Sequence, residues 1–479
     1  MSGKYAVPEE IRALKPKGTM VKAIHGGYYV YEYRSAVIDG RRKTKMGPLV
    51  GAIRPGVGFV PSGGSVRVDE TTVLEFGQYA IAKANSGAVL ERLKRYFRAD
   101  DAVRIYTVAL IHFVNGFSYM KSVQGYYEMS VLSLAYPGMK LGYKTLSSLY
   151  DDLGRRQERV VRFEQGLADE CSGYVAIDGH VESCCSLQND LARKGYKFMK
   201  LGECQMNQLM AYDAETGTPL FARIYEGGCT DKVSVRDLLS TVLFRNAVFL
   251  IDCGFYSDEN LRLFSKNGNA YIIPLPQNTD KCKAAVADLH MGDRFVYSKG
   301  RRMSVVEFRD LAVGDRRVLV FRDLSEAAEE QANYMRHMQM GDGNYSRDRF
   351  EALKGFMGVM VLQTNSSLSA ERIFNLYKKR WSIETFFNYF KNAFGFESLY
   401  QQDYYQIQGL SFISLVSSLI RHEVERSVEK VRAMNMNDCL MQGRLLKACK
   451  RHGTWVVCNC RPKLEALFKA LNTPLNANL

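Results

Sequence analysis

The chain has 479 residues, 46% hydrophobic and 24% charged, a balance that excludes a disordered or fibrous protein and leaves room for two to four domains with a large core. Its 65 Lys and Arg against 51 Asp and Glu give a formal charge of +14 and a pI near 9.1, which favours an anionic partner, nucleic acid first. The longest apolar run, Leu410 to Ile420, falls far short of the roughly 18 residues of a membrane span; the opening MSGKYAVPEE carries no apolar signal segment, and eleven cysteines in no repeating frame read as reduced thiols of a cytosolic protein.

Residues 1 to 60 hold 11 Lys and Arg against 4 Asp and Glu. Within them YYVYEYRSAVIDGRRKTKMG reads as two strands joined at Asp39-Gly40, the second carrying Arg41, Arg42, Lys43 and Lys45. A small basic sheet of this kind can enter a DNA groove; a solvated edge hairpin whose lysines resist aggregation has the same composition. From about Thr71 to Gly166 apolar residues recur at three- and four-residue spacing, the pattern of helices. GYVAIDGHVESCC then reads as a strand, MNQLMAYDAETGTPLFARIYEG as a hairpin about Thr216-Gly217, and VSVRDLLSTVLF as a helix. NAVFLIDCGF is a buried strand, DENLRLFSKNG a helix and AYIIPLP another strand. Three strands followed by helix, strand, helix and strand predict a mixed α/β sheet flanked by helices.

Between about Gln277 and Phe356 this rhythm is interrupted. DRFVYSKGRRMSVVEFRDL and DRRVLVFRDL read as strands and EAAEEQANYMRHMQM as a charged helix, together an inserted subdomain. GVMVLQTN resumes a strand, a helix begins near Ala370, and after Glu397 the chain is helical to about Lys447, with a strand at TWVVCNC. Cys449, His452, Cys458 and Cys460 crowd into 12 residues, but they lack the two separated ligand pairs of a usual zinc site and read as ordinary thiols.

The stretch YKKRWSIETFFNYFKNAF, residues 377 to 394, concentrates chemistry on one helix. At about 100° per residue from Tyr377, Arg380 falls near 300°, Glu384 near 340° and Lys391 near 320°. Ile383, Phe386, Phe387, Phe390 and Phe394 fill the adjacent arc of roughly 180° to 280°. One reading is a surface ladder with Arg380 and Glu384 paired at i, i+4. The other is a site where cations in excess beside one carboxylate receive phosphates and a metal ion. Asp178 ends GYVAIDG, as a strand acid or as the first residue of an Asp-Gly turn. Asp252 ends NAVFLID, as a strand-end acid or as a loop or capping residue. Three carboxylates converging over one sheet edge can bind two divalent ions about 4 Å apart.

Tyr377-x2-Arg380-x3-Glu384-x6-Lys391 resembles the tyrosine-arginine-glutamate-lysine signature of bacterial insertion-sequence transposases of the DDE class. AIDGH, IDCGFYSDENL and VLQTNSSLSAERIFNLYKKRWSIETFFNYFK resemble that family's blocks around its first acid, second acid and glutamate. The hairpin QLMAYDAETGTPLFARIYEGGCTD resembles the segment between its two aspartates. The resemblance spans about Gly173 to Phe396. It implies a ribonuclease-H-like catalytic core in which Asp178, Asp252 and Glu384 hold two Mg2+ ions, with Mn2+ able to substitute. It also implies that Tyr377, Arg380 and Lys391 contact DNA phosphates, each contact worth roughly 1.5–3 kcal/mol. The separation of 132 residues between Asp252 and Glu384 fits members that insert a β-rich subdomain before the glutamate helix.

The implied organisation is a basic β-rich module at 1–70, a candidate DNA-binding unit, followed by a helical region at 71–170. The core would run over 171–276 and 357–400 around a β-rich insertion at 277–356, with a helical, candidate dimerisation region at 401–479. The implied function is cleavage of double-stranded DNA at terminal inverted repeats and joining of the ends to target DNA. It would proceed without a covalent enzyme intermediate, as a homodimer on paired ends, in a bacterial or archaeal cytoplasm at the nucleoid and with no membrane partner. A nuclease or resolvase on the same fold, and a domesticated non-catalytic DNA-binding protein, are the rival readings. Two departures stand out. His180 occupies the place where relatives often carry a hydroxyl residue. Trp381 and Trp455 both lie outside the insertion, so a tryptophan that receives a flipped base there would have to be replaced by Phe295, Tyr297 or another aromatic.

Overall fold

A computed structural model describes residues 7–38, 41–54, 56, 58–61, 73–116, 119–184, 188–195, 203–276, 279–287, 292–299, 302–380, 401–431, 434–451 and 453–476. Glu384 and Lys391 lie outside these residues, as do Trp381, His452 and the Asp39-Gly40 turn. The chain divides into one unit of residues 1–73 with 449–455 and another of 74–448 with 456–479.

The first unit holds the short helix α1 (Glu9–Ala13) and a four-stranded antiparallel sheet of β1 (Thr19–Ile24), β2 (Gly27–Ile38), β3 (Arg41–Arg54) and β4 (Gly58–Pro61), in that order. Ile24 pairs with Gly27, so only His25 and Gly26 turn the chain, both at positive φ (50° and 81°). That is the two-residue turn whose twist suits a hairpin. The β2–β3 ladder runs from Tyr28 opposite Ile53 to Ile38 opposite Arg41, with an irregularity between Val30 and Tyr33. Val30 and Ile53 are buried and anchor the wide end of this small sheet.

A short strand, β5 (Val73–Glu75), starts on the residue before the second unit, which continues with the helices α2 (Gly77–Asn85), α3 (Gly87–Tyr96), α4 (Ala99–Asn115), α5 (Met120–Glu128), α6 (Leu132–Ala135), α7 (Tyr143–Arg155) and α8 (Gln157–Asp169). The periodic stretch after Thr71 is a series of helices, the first two separated where Ser86 leaves helical geometry ahead of Gly87. A 28-residue helix, Tyr404–Val431, packs against α4 and α7. Its run from Ile407 to Ile420 is buried throughout, which is why that run, Gln408 aside, is apolar or small on every face. A Cβ at Gly409 would overlap the carbonyl of Tyr150, and one at Gly154 that of Tyr405. The two helices cross that closely only because both positions are glycine.

The remaining strands are β6 (Tyr174–Cys184), β7 (Cys204–Asp213), β8 (Pro219–Glu226), β9 (Val248–Ile251), β10 (Ala270–Pro274), β11 (Asp293–Lys299), β12 (Arg302–Val313), β13 (Arg316–Asp323) and β14 (Val359–Thr364). They form one nine-stranded sheet in the order β11-β12-β13-β14-β10-β9-β6-β7-β8. Only β10–β9 and β9–β6 are parallel. Phe249, Leu250 and Ile251 of β9 are fully buried, as a central strand covered on both faces requires. Between the strands come α9 (Asp231–Thr241), α10 (Asp258–Phe264), α11 (Asp280–Ala287), α12 (Leu324–Gln339), α13 (Arg347–Leu353) and α14 (Ala370–Lys379). The strands of 277–356 do not stand apart from the main sheet: β13 pairs with β14 over Arg317–Arg322 and extends it. Alternate residues of β13 serve two faces. Val318 and Val320 pack with Cys282 and Val286 of α11, while Phe321 packs with Phe374 of α14.

At the opposite edge the long helix covers β8. Nε2 of Gln408 donates to the carbonyl of Ile224 at 2.6 Å and Oγ of Ser411 to that of Ala222 at 3.1 Å. Beside this edge lies a polar cluster, buried at Glu164 and open to solvent at Asp237. Arg223 meets Asp237 at 2.7 Å and Glu164 at 3.5 Å, and the Tyr225 hydroxyl donates to Asp237 at 2.7 Å. Arg223 keeps its charge beside Glu164 and Asp237, and Glu164 is the deeply buried acid of the two. Burial pushes its carboxyl up to about 8 against the pull of Arg223.

A folded-state value above the unfolded one means that protons bound by Glu164 stabilise the fold below about pH 4.5. That contribution is lost as pH rises to 8. Glu164→Gln should abolish this component, raising stability at pH 8.5 by a few kcal/mol relative to the parent while changing little at pH 4.5. Urea unfolding at the two pH values measures it.

Candidate active site

Asp178 and Asp252 are brought together by the register of two parallel strands. β6 pairs with β9 from Tyr174 opposite Val248 to Ile177 opposite Ile251. The next residue on each strand is the acid, so both carboxylates leave the same face of neighbouring strands spaced about 4.8 Å apart. β6 does not turn at Asp178-Gly179: it runs on to Cys184, with Asp178 opposite Met210 of β7. The Asp-Gly turn reading is thereby replaced by a strand acid. Asp252 precedes a 3₁₀ turn, Cys253–Phe255, which its side chain does not cap. Burial pushes the Asp178 carboxyl up to about 6; the Arg380 guanidinium and the Gly179 N–H, 2.9 Å away, oppose that shift, and the charges of Asp252 and Asp231 add to it.

A third acid that the sequence does not single out stands close by. Asp231 opens α9, and a Cβ on Gly179 would come within 2.6 Å of its Oδ1. From sequence it is indistinguishable from any acid placed at a helix N-terminus for the helix dipole. His180 shares the Asp178 face of β6, two residues on. Its Nε2 meets Oε1 of the buried Glu182 at 2.8 Å.

Helix α14 presents Tyr377 and Arg380. Ser369 caps it by accepting from the Arg372 N–H at 3.3 Å, and Ile373, Phe374, Leu376 and Tyr377 form its buried stripe. Phe374 sits among Phe295, Tyr297 and Phe321, with ring centroids 5.5, 5.1 and 5.2 Å away. Phe295 and Tyr297 both pack against the helix. Lys378 pairs with Glu326 of α12 at 2.7 Å, and Arg372 with Glu215 in the β7–β8 turn. Arg317 donates to the carbonyls of Ser366 and Leu368, at 2.7 and 2.8 Å, just before the helix.

The consequence is that Tyr377 and Arg380 are both buried, 9% and 8% exposed. Nη1 of Arg380 stands 3.8 Å from Oδ2 of Asp178, and its guanidinium lies 5.5 Å from the centroid of the Tyr377 ring. Burial works against the Arg380 charge, but Tyr377, Asp178 and Asp252 hold its pKa above the ordinary value. Burial likewise raises the Tyr377 hydroxyl. Arg380 is therefore not a solvated surface cation.

The structure gathers Asp178, Asp252, Tyr377 and Arg380. Glu384 and Lys391 lie outside the described residues. Arg41, Arg42, Lys43 and Lys45 lie on β3 in the other unit, opposite Ile38, Val37, Ala36 and Arg34, and Lys45 is exposed. Among the described residues no group of three or more His, Cys, Asp or Glu is arranged to hold a metal ion, which includes Cys449, Cys458 and Cys460. Also among the described residues, no helix is long and apolar enough to cross a membrane.

Phe374→Ala should cost about 3–5 kcal/mol, as for a large buried aromatic, and free α14 from β11–β13. Chemical denaturation gives the first effect, and faster amide exchange across Ala370–Lys379 the second.

No curated protein matches the sequence. Among solved structures, a piggyBac transposase synaptic complex with hairpin DNA aligns over 77% of this chain and 77% of its own at 10% identity and a TM-score of 0.40, too loose a likeness to carry an argument. The family model described as a transposase DDE domain matches residues 170–416, slightly more than half of the chain and the whole stretch from β6 through α14. The chain belongs to the DDE-domain transposase family.

Proposed function

We propose that this DNA transposase cuts DNA at the terminal inverted repeats of an insertion sequence and transfers the freed ends into target DNA, in a divalent-metal-dependent phosphodiester exchange. The observation that carries the reading is the parallel register that sets Asp178 and Asp252 side by side, with Arg380 and Tyr377 turned toward them. The strand order β8-β7-β6-β9-β10, antiparallel up to β6 and parallel from there, supports a ribonuclease-H-like core. The chain leaves this core after β10, forms β11–β13 with α11–α13, and returns as β14 beside β10. That path supports reading 277–356 as an insertion that enlarges the core sheet.

The donor set fits a hard cation. Two carboxylates half-removed from water, one with its pKa raised by burial and by the other's charge, favour a bound divalent ion. Magnesium needs only one or two carboxylates per ion, and Glu384 is the proposed third ligand for a pair of Mg2+ or Mn2+ ions. Bound there, the ions supply Lewis-acid stabilisation of the phosphodiester and lower the pKa of water. The protein's own task is positional. Asp178, Asp252 and Glu384 fix the cations, while Arg380, Tyr377 and Lys391 hold phosphates of the element end. Arg41, Arg42, Lys43 and Lys45 would add contacts along the duplex. A 3′-hydroxyl freed by hydrolysis then attacks the target strand, which calls for two ends held together, on a homodimer with its contact surface in 401–479.

With the inverted repeats that flank the gene as substrate, Asp178→Asn, Asp252→Asn and Glu384→Gln should each lower Mg2+-dependent cleavage by at least about 10²-fold while DNA binding persists. Full activity in any one removes that residue from the site. Joined strand-transfer products separate a transposase from a nuclease of the same fold. Lys45→Glu should weaken binding to all sequences and reduce the slope of log K against log salt by about one, measured by fluorescence anisotropy.

A further inference from the structure

In the folded chain Asp178 already has a cationic partner. The Arg380 guanidinium stands 3.8 Å from its Oδ2, is 8% exposed, and is backed by the Tyr377 ring. Its backbone is fixed by contacts independent of Asp178: Phe374 in the aromatic cluster, Lys378 on Glu326, and Arg372 on Glu215. The helix therefore stays in place whichever partner the guanidinium takes, and only the side chain needs to move. Asp252 stands one strand away, on the same face, and adds to the field that holds the Arg380 charge.

On the reading that Asp178 binds metal and Arg380 binds phosphate, we propose that Arg380 is the counter-ion a divalent cation must displace from Asp178. Drawing the guanidinium onto a DNA phosphate would then open the acid to the ion. A cation on this carboxylate and a guanidinium beside the same oxygen repel one another where water is too sparse to screen them. A phosphate offers the guanidinium a two-point contact, whereas the Asp178 Oδ2 stands 3.8 Å away. The coupling is reciprocal: DNA tightens metal binding, and metal tightens DNA binding. Free of DNA, the transposase keeps Asp178 beside its own arginine.

The test is Mn2+ affinity of the full chain without DNA, read by electron paramagnetic resonance. Arg380→Gln should bind Mn2+ about tenfold more tightly than the parent. Arg380→Met, which keeps the buried stem, should do the same if the glutamine variant folds poorly. Lys379→Gln, a neighbouring cation whose partner is Glu215 at 3.9 Å, should leave the affinity unchanged. In the parent, Ca2+ should raise DNA affinity and steepen its salt dependence by about one phosphate contact, and in Arg380→Gln it should not. Unchanged or weaker Mn2+ binding in both Arg380 variants overturns the proposal, as does equal tightening in Lys379→Gln. Asp178→Asn distinguishes the levels: if it leaves Mn2+ binding intact, the metal-ligand reading of Asp178 has failed, not the competition alone.

Discussion

Parallel hydrogen bonding between β6 and β9 ends at the Ile177–Ile251 pair, and the geometry of the site follows from that ending. Up to this pair the two strands are an apolar block buried on both faces, and a slip of one residue would draw one of the acids into that block. The hydrophobic register is thus what holds two like charges side by side. Their mutual repulsion is small against the burial of Val175, Ile177, Phe249 and Ile251, so the core dictates and the acids comply.

A second constraint brings the opposite charge to them. Helix α14 has no hydrogen-bonded partner strand to set its height over the sheet, and its position is triangulated instead. The aromatic cluster holds it from β11–β13, Glu326 from α12, and Glu215 from the β7–β8 turn. Those anchors come from the β7–β8 hairpin, from strands β11 and β13 and from α12. Strands β11 and β13 are in this sense part of the site's framework, since Phe295 and Phe321 meet Phe374 directly.

Much of this was legible in the sequence. The alternation of strand and helix after Gly173, the placement of Asp178 and Asp252 after apolar runs, and the shared face of Tyr377 and Arg380 all follow from periodicity, and they reappear in the fold. What was not legible is long-range. A helical wheel relates Arg380 only to neighbours three and four residues away, so it offers a surface pair; the partner actually seen is Asp178, on a strand 202 residues earlier. Lys378 and Glu326 are 52 residues apart, and neither carries a local signal of pairing. Asp231 looks like an ordinary helix-opening acid until Gly179 is seen packed against it. The union of β13 with β14 was equally hidden, because strand patterns announce strands but not their neighbours.

The helix that shields β8 has a consequence for what this sheet can become. Gln408 and Ser411 occupy the outward carbonyls of Ile224 and Ala222, which an incoming strand would need for its own ladder. Growth by one more strand is closed on that side by two polar side chains within the buried stretch of the helix. Such residues look out of place in a hydrophobic stretch, and their removal would leave the core packed but expose a template for aggregation.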